Sequence, residues 1–135
     1  MSVNVELLKS VMSHIEAHPE LFDAVSWRGK STRDFAGWAA ELSGATWLFA
    51  HDDHESIKVG GQRMYRGSVV RTSAGVVLHV EDCAVSVLGI DEQIAEALFV
   101  GTNTLVDLRE MVDNLCDFGT VYDAAPKTQA EVTAP

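Results

Sequence analysis

Positive charge is scarce in this chain. It carries 10 lysines and arginines against 20 aspartates and glutamates, which gives a formal net charge of −10 at pH 7. Nucleic acids and anionic membrane surfaces repel such a protein, so we expect no nucleic acid and no membrane among its partners. The charge is compatible with a basic protein partner, and also with mimicry of nucleic acid by an acidic surface.

Cysteine is rare too, and long apolar runs are missing. Cys83 and Cys116 fall at positions typical of the inner side of a helix, and small secreted domains usually need more than one bridge, so we expect free thiols. No apolar run is long enough to span a membrane, and the first residues, MSVNVELLKS, contain no apolar segment typical of a signal peptide. These observations predict a cytoplasmic protein.

The recurring catalytic signatures are missing as well. The sequence contains no G-x-S-x-G, no P-loop, no HExxH and no CxxC pair. His14 and His18 lie four residues apart, but no third ligand is placed nearby, and histidines at a helix end commonly serve as partners of the helix dipole. We therefore expect no catalytic residues, no metal and no cofactor, and a protein that is not an enzyme.

One loop keeps a metal site open as an alternative. His51, Asp53 and His54 fall within the run HDDHE, residues 51–55, and flexible loops can bind Zn²⁺ or Ni²⁺ with such ligands. Structural metal sites prefer ligands from two separated segments, and a charge-rich run of this kind is typical of a solvated turn. The alternative function is a metal-dependent enzyme that uses the loop His51–Glu55.

The clearest structural signals lie between Glu81 and Phe118, which read as three consecutive helices. Their starts and ends are marked by capping residues and glycines: Asp82, Gly89, Asp91, Gly101 and a Thr104–Asp107 capping box. The last helix has the strongest core-facing stripe, formed by Leu105, Leu108, Val112 and Leu115.

Part of this block, residues 84–98, resembles a helix-turn-helix. A helix that reads DNA presents basic or amide side chains to base edges and phosphates. The second helix here offers Asp91, Glu92, Gln93 and Glu96, whose carboxylates repel phosphate. We therefore interpret the segment as a structural corner.

The N-terminal half predicts two further helices. Asn4 can cap a helix from Val5 to about Ala17, which ends before Pro19. Ser31 and Asp34 form a capping-box pattern before a second helix that ends near Ser43-Gly44.

Two more details of this half bear on packing. Gly37 lies inside the second helix and predicts close backbone contact with another element. Residues 28–33, RGKSTR, read as a basic polar connector between the two helices.

Strand signals follow in the middle of the chain. Residues 57–59 precede the turn dipeptide Gly60-Gly61. Residues 69–71 and 76–80 flank the four-residue loop 72–75 and predict a β-hairpin.

These elements predict an α+β fold, with four to five helices around one core and a small antiparallel β-hairpin sheet. We expect a single globular domain over residues 1–123. Residues 124–135 lack periodicity and apolar anchors, so we expect a disordered C-terminal tail.

Four residues near the strands collect several of the few positive charges. They are Arg63, Tyr65, Arg66 and Arg71. Arginine and tyrosine are enriched at the energetic centres of protein interfaces, so this patch is the predicted partner-binding surface. The alternative is that its arginines pair with carboxylates of the same chain.

Several motifs resemble those of a family of small actinobacterial and actinobacteriophage proteins. The similarity extends over most of the chain, through EAHPELFD followed by Trp27, then FAGWAAELSG, VVLHVEDCAVSVLGI, ALF and NTLVDLREMV. The resemblance implies no particular activity. Many members place cysteines just before the AGWA helix, where this chain has Gly29 and Asp34, so the resemblance implies no thiol or zinc role here.

The predicted function is that of a protein-interaction module without catalytic activity. A phage or mobile-element product that binds a host protein fits a small acidic domain with few motifs. A metal-dependent enzyme and an acidic DNA-mimic inhibitor are the alternatives. Self-association is also open, and a homodimer would suit a small domain with amphipathic helices.

Overall fold

The computed structural model describes residues 3–121, and this part of the chain contains five α-helices and five short β-strands. The helices are α1 (Val5–Ala17), α2 (Phe35–Leu42), α3 (Val80–Leu88), α4 (Glu92–Phe99) and α5 (Leu105–Phe118). The strands are β1 (Thr46–Trp47), β2 (Ser56–Val59), β3 (Gln62–Tyr65), β4 (Val69–Arg71) and β5 (Val77–His79). The predicted α+β fold is confirmed, and the predicted tail lies outside the described residues.

Local capping chemistry fixes three of the helix starts as predicted. The Asn4 side chain accepts from the backbone N–H of Leu7 at 3.1 Å, and that of Asp91 accepts from Ile94 at 2.8 Å. Thr104 and Asp107 form a reciprocal capping box at the start of α5. At the other end of α3, Gly89 has φ 69°, the left-handed conformation that closes a helix.

Two predicted helix starts are wrong, each for a tertiary reason. Helix α3 begins at Val80, directly after β5, and its cap is His79 and not Asp82. Helix α2 is capped by Asp34 and not by Ser31. Arg33, the residue before that cap, is held in a backbone bridge to the segment that follows α1, so the helix cannot start earlier.

The strands form two separate antiparallel sheets. The first has the order β1-β4-β5, and Val69 pairs with His79 while Arg71 pairs with Val77. This confirms the predicted hairpin, except that Val80 belongs to α3. The second sheet is the hairpin β2–β3, which turns at Gly60-Gly61 as predicted.

Helix α2 lies at the centre of the structure. Every residue from Phe35 to Ala40 is buried, and the helix packs against α1 and α3. The main core is formed by apolar side chains of all five helices, among them Leu8, Met12, Phe35, Leu88, Leu98, Leu108 and Leu115. No helix within residues 3–121 is both long and apolar enough to cross a membrane.

A second apolar cluster joins α2 and α3 to the three-stranded sheet. Its buried members are Ala40, Ala45, Val70, Val80 and Cys83. Cys83 and the half-buried Cys116 are both free thiols, as expected.

The connection between α1 and α2 is held by partly buried polar contacts centred on Arg33. Its Nε donates to Glu41 at 2.9 Å, and the same carboxylate oxygen accepts from the Trp47 indole at 2.9 Å. Burial acts to raise the pKa of Glu41, but the hydrogen bonds from Trp47 and Arg33 hold that pKa below its usual value. The ion pair therefore fastens the connection to α2 and β1.

Arg28 fastens the same connection to the loops around the sheets. Its Nη1 donates to the carbonyl oxygens of Phe49 at 2.9 Å and Gly67 at 3.4 Å, and its guanidinium lies 4.5 Å from the centre of the Trp47 ring. The segment 28–33 is the predicted polar connector, and the contacts of its two arginines make it a partly buried clamp.

Gly37 is the point of closest approach between this connection and α2. A Cβ atom built on Gly37 would lie 2.2 Å from the carbonyl oxygen of Trp27 and 3.0 Å from the Cβ of Arg33. Both neighbours belong to the fixed connection, so neither can move away without breaking the clamp. The predicted close backbone contact is confirmed.

We expect Gly37→Ala to lower the free energy of unfolding by roughly 3 kcal/mol. Alanine is the better helix former by about 1 kcal/mol, but the clash with a backbone oxygen outweighs this gain. Urea denaturation measures the change. Gly29→Ala is the control, because the closest atom to its new methyl group is the side-chain hydroxyl of Thr32, at 2.5 Å, and not a backbone oxygen. Equal stabilities of the two variants would contradict the proposed contact.

Candidate functional site

A cleft lies beside the hairpin β2–β3, and we call it the hairpin cleft. It has a volume of about 520 Å³, which is within the range of small-molecule sites. Its lining contains one cation and no carboxylate, although the chain is strongly acidic. The lining residues are Trp27, Ser56, Gln62, Arg63, Met64, Tyr65, Ser68 and His79.

Glu81 fixes two aromatic rings in the inner wall of this cleft. Its carboxylate accepts from the Trp27 indole at 2.9 Å, and its backbone N–H donates to Nδ1 of His79 at 3.0 Å. The two rings meet edge to face, with centroids 4.5 Å apart. Because Nδ1 of His79 is an acceptor, the proton of the neutral ring is on Nε2.

The environment of His79 favours this neutral form. Burial lowers the pKa of His79, and the nearby carboxylates of Glu81 and Asp82 act in the opposite direction without reversing the shift. The ring therefore keeps its role as the cap of α3.

The outer wall of the cleft is the exposed face of the hairpin. Arg63 donates through Nη1 to the hydroxyl of Ser56 at 3.0 Å, and Tyr65 is 57% exposed. On the same face, Arg63 pairs directly with Lys58 across the two strands. Two cations opposite each other repel, so this face carries unneutralised positive charge.

The structure divides the predicted patch. Arg63 and Tyr65 line the hairpin cleft, whereas Arg66 binds Asp53 at 2.8 Å and lies 4.6 Å from the centre of the Phe49 ring. Arg71 lies on β4, in the other sheet. Arg66 therefore follows the alternative of intramolecular pairing, and a binding role for the other three residues stays a prediction.

The loop His51–Glu55 is tied to that ion pair. The backbone N–H of Glu55 and the guanidinium of Arg66 hold the pKa of Asp53 below its usual value. His54 packs edge to face on Tyr65, with ring centroids 5.8 Å apart. Within residues 3–121, no three His, Cys, Asp or Glu side chains are arranged to hold a metal ion. His14 and His18 contact each other through their rings, and His14 also packs on Trp38.

A second concave surface lies between α3 and α4, and we call it the acidic groove. It has a volume of about 400 Å³. Glu81 and Asp82 of α3 face Glu92 and Glu96 of α4 around it. The remaining lining is apolar and consists of Val85, Ala95, Phe99 and Val100.

The carboxylates of this groove have no basic neighbour in its wall. No Lys or Arg is among the described residues that line it. Some carboxylates elsewhere have such a neighbour: Arg109 binds both Glu16 and Asp113 and joins α5 to α1. The groove therefore concentrates negative charge around an apolar floor.

Exposed valines extend the apolar floor at one end. Val100 is 45% exposed and Val25 is 82% exposed. Val25 lies beside Gly101, because a Cβ built on that glycine would be 3.6 Å from the Cα of Val25. The groove thus continues into an apolar strip on the protein surface.

Asp34 is a buried carboxyl group near the acidic groove. It is 3% exposed and accepts from the backbone N–H of Gly37 at 2.8 Å. Burial raises the pKa of Asp34 to about 7, and the charges of Glu81 and Asp23 act in the same direction. Asp34 therefore titrates near neutral pH, at the junction of the clamp and α2.

Reasoning from the sequence missed Trp27, His79 and Glu81 as a unit. His79 and Glu81 are neighbours at the junction of β5 and α3, but Trp27 lies 54 residues before Glu81 and reaches them only through the tertiary fold. The one signal available was a capping-capable histidine directly before a helical pattern.

Comparisons with known proteins give no relative. No protein-family model, no curated protein and no solved structure matches the chain. The resemblance to actinobacterial and phage proteins stays a prediction, and the function must come from the chemistry of the two surfaces.

We expect Asp34→Asn to remove a pH dependence of stability. Between the unfolded pKa of Asp34, 3.8, and its folded pKa of about 7, the folded state holds a proton that the unfolded state has lost. The contribution of Asp34 to the free energy of unfolding is therefore full at low pH and falls as the pH rises towards 7. From pH 5 to pH 8 the loss is about 3 kcal/mol, at about 1.4 kcal/mol per pKa unit.

Urea denaturation of the wild type and of Asp34→Asn at several pH values measures how the free energy of unfolding of each depends on pH. Asparagine also caps helices, so the cap of α2 is retained. Asp91→Asn, the same change at the exposed cap of α4, is the control and should keep the wild-type slope. If the free energy of unfolding of Asp34→Asn depended on pH as steeply as that of the wild type, the assignment of this pH dependence to Asp34 would be contradicted.

Proposed function

We propose that this protein is a non-catalytic binding module that docks a basic segment of a partner protein in the acidic groove. The observation that carries the proposal is the groove itself, in which four carboxylates surround an apolar floor and no cation lines the wall. A segment that combines Lys or Arg with apolar anchors complements both features.

Negative charge favours a basic partner both at long distance and in direct contact. The net charge of −10 attracts a basic chain over a distance, which raises the rate of association at low salt. At close range Glu92 and Glu96 lie one turn apart on α4, so they can flank one apolar side chain of the partner. Carboxylates at the rim supply orientation, and burial of the apolar floor supplies most of the affinity.

The apolar strip of Val100 and Val25 lengthens the surface that a docked segment can contact. A groove of about 400 Å³ takes only a few side chains, whereas a stable interface buries at least about 1,000 Å² in total. Val100 and Val25 continue the floor beyond the groove. We infer an amphipathic helix of several turns as the occupant, with its basic residues against the carboxylate rim.

The partner we propose is a host protein. The resemblance of several motifs to those of actinobacteriophage proteins motivates this choice, and the acidic surface favours a basic target. The alternative of a DNA mimic uses the same carboxylates but needs no apolar floor. The alternative of a second copy of the chain rests on the exposed Lys58 and Arg63 of the hairpin. Both alternatives are separated from the proposal by the experiments below.

We expect a fluorescent amphipathic peptide of Lys and Leu to bind with a saturable anisotropy change. Glu92→Lys or Glu96→Lys should weaken binding at least tenfold, because each places a cation against the basic face of the peptide. Glu110→Lys, the same change on the exposed side of α5, should alter the affinity less than threefold. Equal effects of Glu92→Lys and Glu110→Lys would contradict the site, since binding would then follow net charge alone.

A change to the floor separates docking from charge mimicry. Val100→Ser keeps every charge and removes an exposed apolar contact, so we expect a several-fold weaker peptide affinity. An unchanged affinity would favour a surface that acts through charge only. Sedimentation of the free protein tests the remaining alternative, because a dimer broken by Glu92→Lys would identify a second copy as the occupant.

A further inference from the structure

We propose that the hairpin cleft is a binding site for a small aromatic carboxylate. The proposal does not depend on the proposed function, because none of the residues that line the acidic groove lines this cleft. It assigns a ligand class to the part of the predicted Arg and Tyr patch that the structure brings together.

Charge segregation gives the first argument. The chain has 20 acidic residues, yet the hairpin cleft has none in its wall and contains the guanidinium of Arg63. Lys58 lies directly across the hairpin from Arg63, so an anion between them relieves the repulsion of the two cations. The hairpin cleft therefore favours an anionic ligand.

Hydrogen-bond geometry gives the second argument. Arg63 uses Nη1 for the hydroxyl of Ser56, which leaves Nη2 and Nε as a fork that suits a carboxylate. The Tyr65 hydroxyl is an additional donor in the wall, and His79 carries its proton on Nε2 because its Nδ1 is occupied. Arg63, Tyr65 and His79 thus each offer a donor that a carboxylate can accept from.

The rings of Trp27 and His79 indicate which ligand shape the cleft accepts. Trp27 and His79 stand at 88° to each other, and Glu81 bonds to both residues. Rings held in this way need not be ordered when a ligand binds, so little affinity is lost to side-chain entropy. Their faces and edges suit a flat aromatic body, and a volume of about 520 Å³ accommodates one or two fused rings.

The experiment titrates the full chain with 1-naphthoate and follows ¹H–¹⁵N NMR spectra. We expect saturable shifts of the Trp27 indole N–H and of the backbone amides of residues 62–65 and 79. The neutral analogue 1-naphthamide should bind at least tenfold more weakly, because it lacks the charge that the arginine recognises.

Variants test the assignment to this cleft. Arg63→Gln should weaken naphthoate binding at least tenfold, and Arg63→Lys, which keeps the charge but loses the fork, should give an intermediate loss. Arg71→Gln removes the same charge from β4 and should change the affinity less than twofold. The dispersion of the same spectra shows that each variant is folded.

Three results would overturn the proposal. They are equal binding of naphthoate and naphthamide, an affinity that Arg63→Gln leaves unchanged, and shifts that do not saturate or that lie away from the cleft. In each case the peptide experiment on the acidic groove remains a separate test of the proposed function.

Discussion

The ion pair between Arg33 and Glu41 is the interaction on which the rest of the structure depends. Through its backbone, Arg33 donates to the carbonyl of Leu21 at 3.0 Å and accepts from the N–H of Asp23 at 3.0 Å. Through its side chain it reaches Glu41 on α2, which also holds Trp47 of β1. One residue thus connects the segment after α1, helix α2 and the three-stranded sheet, and it places Trp27 against Gly37.

Trp27 links the two candidate surfaces through its bond to Glu81. Its carbonyl lies against Gly37, and its indole, which lines the hairpin cleft, donates to Glu81, which lines the acidic groove. Acidic side chains collect on the α3–α4 side, whereas donors and aromatic rings collect on the hairpin side. A chain with few cations thereby presents two surfaces of opposite chemical preference, which is why we assign them different kinds of ligand.

The parts of the fold that depend on near neighbours could be predicted from the sequence. The caps Asn4, Asp91 and Thr104 act on N–H groups two or three residues away, so their signals are local. Asp34 was predicted as the far end of a capping box and is instead the cap, because a bridge between distant backbone segments decides where α2 begins. Periodicity and capping patterns contain no information about that bridge.

The candidate surfaces depend still more on distant contacts. The partners of Arg28 and Arg33, at Phe49 and Glu41, cannot be identified from spacing in the sequence. The carboxylates of α4 were visible in the sequence, but the groove requires α3 to face them at the Gly89 corner. The sequence therefore predicted the carboxylates of α4 and the turn at Gly89, whereas the concave groove between α3 and α4 is visible only in the structure.

Amide hydrogen exchange tests the central claim that the connection between α1 and α2 is a fixed clamp. The backbone N–H groups of Asp23 and Arg33 lie outside regular helices and sheets, yet both are hydrogen-bonded within the clamp. The account predicts that they exchange as slowly as the amides of α2, because they open only when that helix unfolds. Exchange as fast as that of Lys30, an exposed residue of the same connection, would contradict it.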